Sequence, residues 1–218
     1  MKERPILFSA PMVRALLAGT KTQTRRAMRV QPSDEAAVTV EHFHQTVVDR
    51  YGDEQPGPEV FGAWWDDGES GLVCPYGQPG DRLWVRENGW QRPERTPQMM
   101  REGADTWAPY YFDADGISEQ EAADFKAWGF KRRPSIHMPR AASRISLEVT
   151  GVRVERLHQI SDADCVAEGC PGGHGSIPGY QYNATPREHY RAVWAAVNGP
   201  GSWQANPWLW VVEFRRHA

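Results

Sequence analysis

Hydrophobic residues in this chain fall in short blocks, and the spacing within each block selects helix or strand. Ser9 and Pro11 open a block in which Met12, Val13, Leu16 and Leu17 recur at helical spacing, and Gly19 supplies a left-handed stop. Just before it, Ile6-Leu7-Phe8 has the length and polarity of a buried strand. Arg82 to Glu87 alternates Leu83 and Val85 against Trp84 and Arg86, and Ser143 to Leu157 alternates Ile145, Leu147 and Val149 against Ser146, Glu148 and Thr150. Past Gly151 the phase shifts to Val152 and Val154, which predicts a bulge or sharp bend at the glycine. Capping boxes predict three further helices: Ser118/Glu121 ahead of Ala122, Phe125 and Trp128 with Gly129 as the stop, Ser161/Asp164 ahead of a short helix ending at Glu168-Gly169, and Thr185/Glu188 ahead of Tyr190, Val193, Trp194 and Val197. Trp208, Trp210, Val212 and Phe214 form one side of a last strand.

Short strands, few helices and no βαβ rhythm predict a mainly β fold with helices (α+β), a small antiparallel β-barrel decorated by helices. Residues 31–70 carry Pro32, Pro56, Pro58, several glycines and many acids, and read as an insertion with little regular structure holding Trp64 and Trp65. Residues 91–130 read as a second insertion. The 218 residues, 40% of them hydrophobic, suffice for one core, and a single domain over 1–218 is expected.

The formal charge of −3 provides no global attraction to nucleic acid, so any such contact needs a local basic patch. Four lysines (Lys2, Lys21, Lys126 and Lys131) leave 21 arginines among the 25 basic residues, and arginine is the better fork for phosphate. Cys74, Cys165 and Cys170 make no disulfide framework, and the absence of a signal segment or a membrane-length apolar run points to the cytoplasm. Cys165, Cys170 and His174 lack a fourth ligand, so no metal and no cofactor is expected.

The chemistry is concentrated in Leu17-Ala18-Gly19-Thr20-Lys21-Thr22-Gln23-Thr24-Arg25-Arg26. In an extended segment Thr22 and Thr24 point one way and Lys21, Gln23 and Arg25 the other, unless a kink joins Lys21 to Thr24. A poorly solvated lysine can serve as a base and activate a threonine hydroxyl. A solvated turn with ordinary surface cations is the plainer alternative. Arg133-Pro134-Ser135-Ile136-His137-Met138-Pro139-Arg140, with Arg144 beyond it, is the best candidate for a phosphate-contacting loop, and Glu87 is a reserve carboxylate.

These blocks resemble the ASCH domain, a PUA-like β-barrel family associated with RNA. The resemblance rests on Leu17-Ala18-Gly19-x-Lys21-Thr22-x-Thr24-x-Arg26, Gly80-Asp81-x-Leu83-x-Val85, Glu148-Val149-Thr150 to Val154, the helix ending in Glu168 and Trp210-Val211-Val212-Glu213-Phe214, in the family's order. The segment from Arg133 to Arg140 is similar to longer members carried by phages and prophages. Small bacterial members are amidohydrolases that deacetylate N4-acetylcytidine with a lysine, a threonine and a glutamate, which implies Lys21, Thr24 and Glu168 here. The first expectation is therefore a hydrolase of an acylated nucleobase or nucleoside, in which Lys21 takes the Thr24 proton, Thr24 attacks the amide and Glu168 protonates the leaving amine. The second is an RNA- or DNA-binding module, with or without ribonuclease activity, in which Arg25, Arg26, Arg133, Ser135, His137, Arg140 and Arg144 hold phosphate or substrate. Neither requires a membrane or a protein partner.

Overall fold

The structure, a computed structural model, describes residues 1–65, 70–94, 96–101 and 108–217. In chain order the elements are β1 (Glu3–Leu7), α1 (Ala10–Leu17), β2 (Gln23–Ala27), β3 (Val38–Val48), β4 (Glu54–Trp65), β5 (Ser70–Val73), β6 (Arg82–Arg86), β7 (Gly89–Gln91), α2 (Pro97–Arg101), β8 (Tyr110–Phe112), α3 (Glu119–Ala127), β9 (Lys131–Arg133), β10 (Ser146–Arg156), α4 (Asp162–Ala167), α5 (Pro186–Asn198) and β11 (Trp208–His217). The chain is mixed α/β with strand predominating. The expected closed barrel is not found. The largest sheet has the order β1-β6-β10-β11-β2 and is open, because the strands of residues 38–73 and 89–133 pair among themselves, as β3-β4-β5 and β8-β7-β9, and do not close it. No helix among the described residues is long and apolar enough to cross a membrane.

The chain divides into two compact units. The first comprises Met1–Lys2, Thr20–Arg82 and Glu148–Arg215. Its core cluster joins Leu157, Ile160, Cys165, Cys170, Tyr190, Trp194 and Leu209, so α4, α5 and β11 bury their apolar faces together. Each fully buried side chain of this size contributes roughly 1.5–3 kcal/mol. β11 pairs antiparallel with β2, setting Val211 opposite Arg25, Val212 opposite Thr24 and Glu213 opposite Gln23. Leu209 and Val211 are as buried as Trp210, Val212 and Phe214, so this strand is covered on both faces and not on one alone. β10 runs through Gly151 without interruption. A Cβ at Gly151 would lie 2.7 Å from Glu213 Oε2, so a larger residue there would displace the end of the Glu213 side chain.

The described part of residues 31–70 is largely regular and not the irregular insertion expected. β3 and β4 form a long antiparallel ribbon to which β5 adds a short third strand, and Trp64 and Trp65 lie within β4. Pro56 is tolerated because it sits next to the bulge between His44 and Thr46, beyond the part of β4 that β5 pairs with. Part of each expected insertion, residues 66–69, 95 and 102–107, lies outside the described residues.

The second unit comprises Glu3–Gly19, Leu83–Leu147 and Arg216–Ala218. Val13 and Leu16 are the buried part of the α1 stripe, while Leu17 is 40% exposed. Leu83 and Val85 are fully buried, as the alternation in β6 requires. α3 carries the expected Ser118/Glu121 capping box, and its Phe125 packs against Trp90, Tyr111, Trp128 and Phe130.

Candidate functional site

Lys21 and Glu168 meet in the first unit because two local structures converge. The chain from Thr20 to Gln23 is held in place by backbone bonds: Phe214 N–H donates to Thr22 O (2.9 Å), and Thr22 N–H donates to Ala167 O (2.8 Å) at the end of α4. α4 starts at the Ser161/Asp164 capping box and ends with Glu168 as its C-cap residue, after which Gly169 takes the left-handed φ of 90° that terminates the turn. Lys21 and Glu168 then form an isolated antiparallel bridge.

The Lys21 Nζ donates to Glu168 Oε2 (2.7 Å), Glu168 O (2.8 Å) and Gln23 O (2.9 Å). Three acceptors, one of them a carboxylate, match the three N–H groups of an ammonium. One of these contacts also satisfies a carbonyl at the helix C-terminus, where a cation complements the dipole. The Lys21 side chain is completely buried and that of Glu168 is 4% exposed.

Gln23 and Arg25 extend the same face, as strand alternation dictates. Gln23 Nε2 donates to Asp164 Oδ1 (2.9 Å) and Asp164 O (3.0 Å). Arg25, its side chain fully buried, places Nη2 2.9 Å from Glu155 Oε2 and 3.3 Å from Asp164 Oδ2, and Nη1 3.6 Å from Glu168 Oε1. Arg153 binds Glu155, Asp164 and Glu213 and completes the network. Glu168 Oε1 and Arg25 Nε and Nη1 are buried without a hydrogen bond. Burial alone would raise the Asp164 pKa, but hydrogen bonds from Ser161 and Gln23 and the Arg25 charge hold it well below the usual carboxylate range. Burial pushes the Cys165 thiol up to about 11 and the Cys170 thiol up to about 12. Tyr190 is raised well above its ordinary value by burial and by the Glu168 charge, so the groups beside the network are neutral.

Thr24 does not join this group. Directly opposed residues of an antiparallel pair share a face, so Thr24 lies with Val212, on the side away from Gln23 and Arg25. The register of β2 with β11 runs unbroken from Gln23 to Ala27, which sets Thr24 on the face away from Gln23 and Arg25. Thr24 is nonetheless buried, at 2% exposure, while Thr22 is exposed. Arg26, opposite Trp210, is half-buried on the Thr24 face.

The other candidates belong to the second unit. Glu87, 1% exposed, accepts both Nε (3.1 Å) and Nη2 (2.9 Å) of Arg144, whose guanidinium also meets Asp115 and lies 4.0 Å over the Phe112 ring. Arg133 Nε donates to Gln91 Oε1 (2.7 Å), Ser135 N–H donates to Asn88 Oδ1 (2.7 Å), and Arg140 donates to both carboxylate oxygens of Glu3. His137 is exposed at the end of a short 3₁₀ turn.

Sequence reasoning missed Asp164, Glu155 and Arg153 as parts of the site. Arg153 and Glu155 are charges at i and i+2 among valines, a signal that one face of that strand is polar. Asp164 is visible in sequence only as a cap, because its second partners lie 141 and 11 residues away. No family model, curated protein or solved structure matches the chain.

Proposed function

We propose that this protein is an amide hydrolase of the ASCH, PUA-like type that removes an acyl group from a modified nucleobase or nucleoside such as N4-acetylcytidine, with Glu168 as its acid–base group. The observation that carries this reading is the buried Lys21–Glu168 contact at 2.7 Å, formed by residues 147 positions apart. One oxygen of Glu168 is fixed by an ammonium and the other has no hydrogen bond, so the carboxylate is oriented and one atom is available for a proton. In the proposed reaction a water oxygen bonds to the amide carbon as its proton passes to Glu168 Oε1. The tetrahedral intermediate then expels the nitrogen, which takes that proton from Glu168. The products are the free amine and a carboxylic acid.

Lys21 holds Glu168 in position through its 2.7 Å contact, a role unlike the base expected from the motif. Thr24, on the opposite face of β2, has no part in the bond-making step. Phosphate binding by the second unit has less support, since Arg133, Arg140 and Arg144 already donate to Gln91, Glu3 and Glu87. The reading is tested by incubating the protein with N4-acetylcytidine and a series of acylated nucleosides and detecting the deacylated nucleoside by mass. Turnover of at least one member is expected; no turnover on any would overturn the assignment.

A further inference from the structure

We propose that two copies of this chain associate through β3, pairing antiparallel across a two-fold axis at Phe43 so that the two β3-β4-β5 sheets join into one, an association independent of the hydrolase reading. β3 lies at one edge of its sheet and is 11 residues long, against 4 in β5 at the other edge. The direction of its backbone groups follows from the ladder. Cys74 N–H donates to Phe61 O (3.0 Å), so Phe61 turns its polar groups toward β5 and Gly62 turns its own toward Glu41, its partner in β3. At the far end of the ribbon Asp49 N–H donates to Asp53 O (2.9 Å). The extra residue of the bulge falls in β4, where Glu59 to Pro56 takes three steps while His44 to Thr46 takes two, so the alternation of β3 is unbroken. Its odd-numbered residues therefore face β4, and Val38, Val40, His42, His44, Thr46 and Val48 point their N–H and C=O groups outward. Among the described residues nothing pairs with these groups.

The sequence of β3, Val-Thr-Val-Glu-His-Phe-His-Gln-Thr-Val-Val, reads nearly the same in both directions about Phe43. Self-pairing about that residue sets each outward-pointing residue opposite another: His42 opposite His44, Val40 opposite Thr46 and Val38 opposite Val48. Such pairs exchange two backbone bonds each. On the other face Phe43 meets the Phe43 of the second copy, Glu41 meets Gln45 and Thr39 meets Val47. Like side chains meet like, β-branched on β-branched and ring on ring, the pairings that favour antiparallel strands. Glu41, the one carboxylate of the strand, falls opposite an amide, so no two like charges oppose each other across the seam. Val47 and Val48, 45% and 61% exposed in the single chain, become covered. β3 also lacks the proline or lysine by which edge strands resist pairing. The contact is isologous and closes at two copies.

Sedimentation equilibrium of the full chain, from micromolar to millimolar protein, provides the test. The wild type is expected to pass from monomer to dimer within that range. Thr46→Pro removes an outward N–H and no bond to β4, so it should raise the dissociation constant at least about tenfold while circular dichroism keeps the wild-type signal. The register is read with Glu41→Cys and Gln45→Cys chains under oxidised glutathione. These positions are directly opposed and not hydrogen-bonded to each other, about 4.5 Å apart at Cα and within disulfide reach, so an equal mixture should give the mixed disulfide dimer. Either variant alone sets its two cysteines four residues, roughly 13 Å, apart along the seam and should give no cross-link. A wild type that stays monomeric, a dimer indifferent to a folded Thr46→Pro, or a mixture that yields no mixed disulfide would each overturn the proposal. If Thr46→Pro does not fold, the mixed disulfide decides alone.

Discussion

Lys21→Met is the sharpest structural perturbation available, because it removes the cation and leaves the rest of the network in place. Methionine occupies nearly the same volume, so the cost is electrostatic rather than a cavity. Without the ammonium, Glu168 loses its 2.7 Å partner, and its nearest remaining cation is Arg25 Nη1 at 3.6 Å, with no hydrogen bond. Two carbonyls, Glu168 O and Gln23 O, lose a donor as well. Breaking one side of a buried ion pair costs about 3–5 kcal/mol. At about 2–4 °C per kcal/mol for a chain of this size, the midpoint should fall by roughly 6–20 °C. Lys21→Met combined with Glu168→Leu removes both charges and should return most of the loss, a coupling of about 2 kcal/mol or more. Urea and thermal unfolding followed by both far-ultraviolet circular dichroism and tryptophan fluorescence provide the measurement, since coincident transitions are needed where a chain forms two compact units. A single-mutant cost below about 1 kcal/mol, the range of exposed pairs, or simple additivity in the double mutant would refute the buried pair.

Thr24→Val should retain hydrolysis of whichever acylated nucleoside the wild type accepts, to within a few-fold in kcat/KM, because Thr24 lies with Val212 on the face of β2 away from Gln23 and Arg25; loss of all turnover would restore the threonine nucleophile. Asp164, whose carboxyl is depressed from its ordinary value of 3.8, contributes stability that is complete above that value and is lost as pH falls below it. Asp164→Asn should therefore lower the melting point near neutral pH and flatten its decline on acidification, and an unchanged acid slope would contradict this. Cys74, Cys165 and Cys170 are all buried, and the last two have raised thiol pKa values, so a thiol reagent near pH 8 should label none of them until the protein is unfolded; rapid labelling of the native protein would contradict this burial.

Local signals in the sequence were the legible ones. The capping boxes at Ser118, Ser161 and Thr185 all form, since each is decided within four residues. The alternation of Gln23 and Arg25 against Thr24 also holds within β2. Residues 31–70 were read as irregular because prolines and glycines outweighed the alternation of Val38 and Val40 against Thr39 and Glu41, yet a bulge at His44/Thr46 absorbs the misfit. The open sheet was not legible, since closure depends on which distant strands pair. Nor was the second role of Asp164, a helix cap whose other oxygen holds Gln23 and Arg153.

The central claim is that Glu168 transfers the proton in amide hydrolysis. It is tested most directly by comparing kcat/KM of wild type and Glu168→Gln on N4-acetylcytidine or the acylated nucleoside that replaces it, with circular dichroism confirming that the variant is folded. The glutamine amide oxygen can still accept from Lys21 but cannot shuttle a proton, so kcat/KM should fall by about 10²–10⁴-fold. A folded Glu168→Gln with wild-type kcat/KM would contradict the account.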